Sequence, residues 1–255
     1  MTSVGEAGGA GGALAHAAPT ITIAMSEAHV VRVTSAMISS GRVHFRYIAV
    51  EGPIGAGKTT LAERLGTRLD ATLVLEDTEN PFLADFYADR PGAALQAQLF
   101  YLLNRHRQQT SLRQADLFSQ VTISDYLFDK DKIFAYLNLD DNELFIYQRL
   151  FDLLARDVPP PDLVIYLQAP TDVLLRRLHA RRDDPETTPF EPEPDYLREL
   201  NEAYTHFFFH YNATPLLVVE TSQFDSDASD EALDDLVKQV TNMGAGTRYY
   251  VPRTK

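Results

Sequence analysis

Gly52 to Thr59 read GPIGAGKT: three glycines, a lysine and a hydroxyl residue in the spacing G-x-x-x-x-G-K-[ST]. The glycines let successive backbone N–H groups turn inward around an anion, and a helix opening behind them adds the positive end of its dipole. In such a turn Lys58 reaches the outer phosphates of a polyphosphate and the Thr59 hydroxyl ligates Mg²⁺. The arrangement works only between a buried strand and a helix. "YIAV" (47–50) and "TTLAERL" (59–65) flank it accordingly, which disfavours a glycine-rich helix entry that holds nothing.

A phosphate-holding turn does not name a reaction, because hydrolases and kinases of several kinds share it. In open parallel sheets ligands sit outside the carboxyl ends of the strands, so the residues there decide. Glu76 and Asp77 stand at the end of "ATLVLE", Asp125 at the end of "QVTISD" and Gln168 near the end of "PDLVIYLQA". Glu76 and Asp125 are expected to converge on the phosphate site from neighbouring strands. One carboxylate would accept the proton of an attacking hydroxyl while the other helps to hold the metal.

The elements that must position these residues alternate. Strand-like runs at 43–50, 71–76, 120–125, 161–169 and 215–221 are separated by helical periodicity at 58–69, 92–115, 142–157, 171–182 and 194–211, with a last helix at 230–240. On the long second helix Leu95, Leu99, Leu102 and Leu103 are expected along one apolar face. On the helix at 194–211 the stripe is Leu197, Leu200, Tyr204, Phe207, Phe208 and Tyr211. Apolar strands between helices predict an α/β, three-layer fold of the P-loop NTPase type, a five-stranded parallel sheet with helices on both faces.

Of 255 residues, 45% are hydrophobic and 23% charged, which fits one globular domain of enzyme size. The formal charge of −13 opposes general nucleic-acid binding. The chain has no cysteine, so disulfides, thiolate metal sites and thiol nucleophiles are excluded, and a reducing cytoplasm is the expected location. No apolar run approaches the ~18 residues of a membrane span. Residues 1–41, rich in Ala, Gly and Ser, are expected to form a disordered leader to a domain at 42–255.

With these residues laid out, the chain from Tyr47 to about Thr221 resembles the deoxyribonucleoside kinase family, in particular its bacterial deoxyadenosine and deoxyguanosine kinases. The resemblance implies transfer of a phosphoryl group from ATP, with Mg²⁺, to the 5′-hydroxyl of a deoxynucleoside, with some preference for purines. It assigns Gly52, Pro53, Ile54, Gly55, Ala56, Gly57, Lys58, Thr59 and Thr60 to ATP. "LVLEDTENPFLADFY" is similar to the family's second strand and the segment after it, which makes Glu76 the general base and sets Tyr87 against the sugar 3′-hydroxyl. "QAQLFYLLNRHRQQ" resembles the base-reading helix, with Gln98 and Arg105 two turns apart on one face.

"DLVIYLQAPTDVLLRRLHARR" resembles the strand and helix that lead into an arginine lid, here at about 178–194. By that register Arg177 and Arg181 clamp the transferring group, with Arg182 alongside, where fixed guanidinium groups offset developing charge. Glu191 is a further partner for the 3′-hydroxyl. One departure stands out. The family shows an acid, an arginine and a serine at the end of the third strand, whereas this chain reads "SDYLFDKDKIFA". The acid stands one residue on, at Asp125, which with Thr59 is the expected metal pair; the arginine is missing, and Asp129 and Lys130 have no assignment. A thymidylate kinase-like enzyme acting on a monophosphate, and a nucleotide-binding regulator without turnover, are the rival readings. The apolar helices at 140–156 and 193–211 suit either a homodimer or simple core burial.

Overall fold

The computed structural model describes residues 45–115, 121–182, 192–222 and 230–252. The leader at 1–41, Glu191 and most of the expected lid lie outside them. Along the chain run β1 (Tyr47–Glu51), α1 (Lys58–Leu69), β2 (Thr72–Val74), α2 (Leu83–Tyr87), α3 (Ala93–Ala115), β3 (Thr122–Ser124) and α4 (Lys130–Asn138). Then come α5 (Asp141–Leu154), β4 (Leu163–Gln168), α6 (Thr171–Arg182), α7 (Pro194–Phe209), β5 (Leu216–Glu220), α8 (Asp230–Thr241) and β6 (Thr247–Tyr250).

The strands form one parallel sheet in the order β2-β3-β1-β4-β5-β6. β1 lies at its centre, with Ile48 in register with Ile123 on one side and Leu163 on the other. After β1 the chain fills one side of the sheet and then crosses to the other. The carboxyl end of β1 is therefore a topological switch point, where α/β sheets open a crevice, and the glycine turn sits there.

Five strands were expected and six are found among the described residues. β6 escapes a periodicity reading because its residues alternate between exposed and half-buried at a sheet edge, pairing only with β5. The central strands are the opposite case. β4 buries every residue but Gln168, which is what gave it an unbroken apolar run.

The core between sheet and helices includes Leu61 and Leu65 of α1, Leu197, Leu200, Tyr204 and Phe208 of α7, and Leu233 and Leu236 of α8. Tyr166 and Phe208 stack with ring centroids 4.1 Å apart. A second cluster, built on Leu102, Phe128, Tyr147 and Phe151, joins α3, α4 and α5. Leu95 and Leu99 pack against it as expected, but Leu103 is 46% exposed. At 100° per residue Leu103 is one step round the helix from Leu102, and only one of the two can face inward.

α4 was not anticipated, because "KDKIFAYLN" opens with three charges. Lys130 and Asp131 are nonetheless buried; they turn inward onto Glu76, Arg105 and Gln98.

Candidate active site

Gly55 and Gly57 hold φ of +84° and +91°, the left-handed region that other residues enter at a cost. Gly52 is required for a different reason. A Cβ there would stand 2.7 Å from the Leu167 carbonyl oxygen of β4, so the turn can lie against the sheet only without a side chain. No side chain caps α1, which leaves its first N–H groups to an anion. Lys58 Nζ donates to the carbonyls of Gly52 (2.9 Å) and Pro53 (3.2 Å). Burial and then the charge of Lys130 lower the Lys58 pKa, against the opposing pull of Glu51, Glu76 and Asp125.

Asp125 joins the turn to the acid on the next strand. The Thr59 hydroxyl donates to its Oδ2 at 2.5 Å, and the Glu76 backbone N–H donates to its Oδ1 at 2.7 Å. The Glu76 carboxylate, 14% exposed, faces two cations. Arg105 donates to Oε1 through Nε at 2.9 Å and through Nη2, and Lys130 Nζ donates to Oε2. Burial acts to raise the Glu76 pKa, but Arg105 and Lys130 outweigh it and hold the carboxyl well below its usual range.

Behind Arg105 lies Asp131, fully buried, which accepts from Arg105 Nη1 and, at 3.0 Å, from Gln98 Nε2. The same Gln98 nitrogen donates to the Asp131 carbonyl at 3.1 Å. Gln98 and Arg105, expected on one helix face, do share a partner there. Burial, opposed by Arg105 and Lys130, pushes the Asp131 carboxyl up to about 6. The Tyr101 ring lies beneath the Arg105 guanidinium at 4.8 Å.

Three residues escaped the sequence reading of the site. Glu51, at the end of β1 and fully buried, accepts from Gly52 N–H (2.8 Å), from Leu127 N–H (2.7 Å) and from the Tyr204 hydroxyl (3.2 Å), fixing the start of the turn to the segment after β3 and to α7. Lys130 and Asp131 are the others. The signal for them was charge inside an apolar frame, since Leu127 and Phe128 precede "DKDK" and Ile133 and Phe134 come after it.

Tyr87 ends α2 and is 43% exposed. Burial, then the nearby phenols of Tyr101 and Tyr196, raise its pKa. Arg177 on α6 donates to the Thr221 hydroxyl at 3.3 Å and to the Thr221 carbonyl, at the carboxyl edge of β5; Arg181, one turn on, is exposed. Among the described residues no cluster of three His, Asp or Glu side chains is placed to hold a metal. The Thr59–Asp125 oxygen pair nevertheless fits Mg²⁺, which takes one or two protein oxygens and draws its other ligands from phosphate and water.

The chain is similar to known proteins in both sequence and fold. A sequence model of the family described as deoxynucleoside kinase matches residues 48–244. A deoxyguanosine kinase of Bacillus subtilis is 35% identical over 193 residues, which span 74% of this chain and 90% of that protein. A deoxyadenosine kinase of Dictyostelium discoideum is 32% identical over 199 residues, 75% of this chain and 78% of that one. Among solved structures, a deoxyadenosine kinase from M. mycoides with dCMP and a flexible dCDP bound superposes with a TM-score of 0.61 at 24% identity. That likeness covers 77% of this chain and 98% of the other, and bears on the fold.

Proposed function

The chain belongs to the deoxynucleoside kinase family and is a deoxynucleoside kinase; we propose that it transfers the γ-phosphoryl group of ATP to the 5′-hydroxyl of a purine deoxynucleoside. The observation that carries this reading is that Asp125 binds both Thr59 of the phosphate turn and the backbone of Glu76. Donor and acceptor groups are thereby set side by side. Thr59 and Asp125 would hold Mg²⁺, which when bound supplies charge neutralisation on the phosphates.

Glu76 takes the 5′-hydroxyl proton, Lys58 and the N–H groups of the turn hold the donor phosphates, and Gln98 and Arg105 read the base. Tyr87 and Glu191 bind the 3′-hydroxyl, and Arg177 and Arg181 close over the transferring group, Arg177 leaving Thr221 to do so. Positioning and fixed charge perform most of the work. The purine preference rests on the relatives named for deoxyguanosine and deoxyadenosine, and the cytoplasmic location on the absence of cysteine.

A coupled ADP-release assay across the four deoxynucleosides tests the reading, with thymidine monophosphate as control. Turnover with a purine deoxynucleoside is expected; preference for the monophosphate would instead establish a thymidylate kinase-like enzyme. The exposed apolar side chains Phe145, Ile146 and Leu153 of α5 and Phe209 of α7 support a homodimer through these helices. Light scattering of Ile146→Glu should then give half the wild-type mass, and an unchanged mass would remove that contact.

A further inference from the structure

Lys130 has no task in the phosphoryl transfer so far described. Its side chain is 4% exposed and its ammonium donates to Oε2 of Glu76. An ammonium carries three N–H donors. Among the described residues Glu76 is the one hydrogen-bond acceptor of Nζ, with the Tyr126 ring 5.9 Å away. Its other two N–H groups have no acceptor among the described side chains and backbone and can serve a substrate oxygen.

The neighbouring charges say what kind of acceptor. The Lys130 charge acts on Lys58, whose own ammonium holds two backbone carbonyls and keeps one N–H group over. The repulsion between the two ammonium groups is opposed by Glu51, Glu76 and Asp125, and an anionic phosphoryl oxygen reached by both would offset it further. Glu76 restricts the direction further. A carboxylate has about four acceptor positions; Arg105 occupies two on Oε1 and Lys130 one on Oε2. The remaining position is on Oε2, beside Lys130. A hydroxyl that gives its proton to Glu76 there brings its oxygen next to the ammonium.

We propose that Lys130 is a second catalytic lysine, whose unpartnered N–H groups bind a non-bridging oxygen of the phosphoryl group in flight while its bond to Oε2 keeps Glu76 aimed at the attacking hydroxyl. The proposal rests on phosphoryl transfer from ATP to a deoxynucleoside. In that step the 5′ oxygen forms a bond to the γ-phosphorus, the bond from that phosphorus to the β–γ bridging oxygen breaks with its electron pair leaving on ADP, and the hydroxyl proton passes to Glu76. Lys130 neither gains nor loses a proton.

The test compares Lys130→Met, Lys130→Gln and Lys130→Arg with the wild type. For Lys130→Met kcat should fall by about 10²-fold or more, with KM for both substrates within about 3-fold. Its melting temperature should match or exceed the wild type, because a buried charge with unmet donors is replaced by an apolar chain while Glu76 keeps Arg105. Lys130→Gln, polar and uncharged, is read by the same criterion, so a packing fault in the Met variant is not mistaken for loss of charge. Lys130→Arg should recover about 10-fold over Lys130→Met, because the charge is restored in a different shape.

A kcat within about 3-fold of wild type in either uncharged variant overturns the proposal. So does a fall in melting temperature with activity per folded molecule preserved, which is the mark of a structural ion pair. Wild-type protein that releases no ADP with any deoxynucleoside overturns the reaction itself, and the two failures are told apart by that control.

Discussion

The phosphate turn and the charged cluster behind Glu76 meet at Asp125 and are built in opposite ways. The turn is eight consecutive residues whose groups are mostly backbone, shaped by two positive-φ glycines and one close approach to β4. The cluster is five side chains, Glu76, Gln98, Arg105, Lys130 and Asp131, drawn from the segment after β2, from α3 and from α4. A local device recognises what all nucleoside triphosphates share. A distributed one depends on the whole fold for its geometry, and it is there that an acceptor can be selected.

If this division holds, damage on the two sides should look different. The largest effect is expected from Glu76→Gln, which keeps the shape but removes the proton acceptor: kcat should drop by about 10² or more with ATP affinity nearly unchanged. Steady-state kinetics alongside ATP titration of the variant would check it, and unaltered turnover would remove Glu76 from its role. Lys58→Ala should come next and act on both quantities, lowering kcat/KM for ATP by about 10²-fold, while deoxynucleoside binding measured without ATP stays intact. Were deoxynucleoside binding to fail as well, the two halves would not be separable.

The same division decides what the sequence makes legible. The turn could be read outright, because its requirements are met by neighbours along the chain. Glu76 and Asp125 were readable as strand-end acids from the alternation of elements, and Gln98 with Arg105 from the resemblance to the family's base-reading helix. Lys130 and Asp131 were not, because the apolar frame around "DKDK" does not say which of its charges turn inward, and charges at a helix start look like ordinary capping. Burial there is imposed by Leu102, Phe128, Tyr147 and Phe151 packing three helices together. β6 was missed for the related reason that an edge strand with one neighbour carries a weak pattern.

A change at the junction should give an intermediate effect. Asp125→Asn keeps an oxygen for the Glu76 backbone N–H and turns its amide NH₂ to the Thr59 hydroxyl, which can accept from it, but it removes the charge. The fold should stand while the Mg²⁺ concentration for half-maximal rate rises by about 10-fold. A magnesium titration of turnover measures this directly. An unchanged midpoint would leave Asp125 as a mechanical tie between the turn and Glu76 and would move the metal elsewhere.

The smallest effect is on stability, and it isolates the cluster from the turn. Asp131 titrates at about 6 against an ordinary 3.8, because burial outweighs the attraction of Arg105 and Lys130. Between those two values the native carboxyl still holds a proton that the unfolded chain has released. Its contribution to stability therefore declines as pH rises through that window and is gone above it. Asparagine cannot ionise, keeps a carbonyl oxygen for Gln98, and leaves Arg105 its bond to Glu76. The melting temperature of Asp131→Asn relative to wild type should accordingly climb between about pH 4 and pH 7, while KM for ATP stays put and KM for the deoxynucleoside rises a few-fold. A difference that is flat across that range would mean that Asp131 ionises normally, with Arg105 compensating its burial in full, and the cluster would then be a balanced ion network rather than one holding a strained acid.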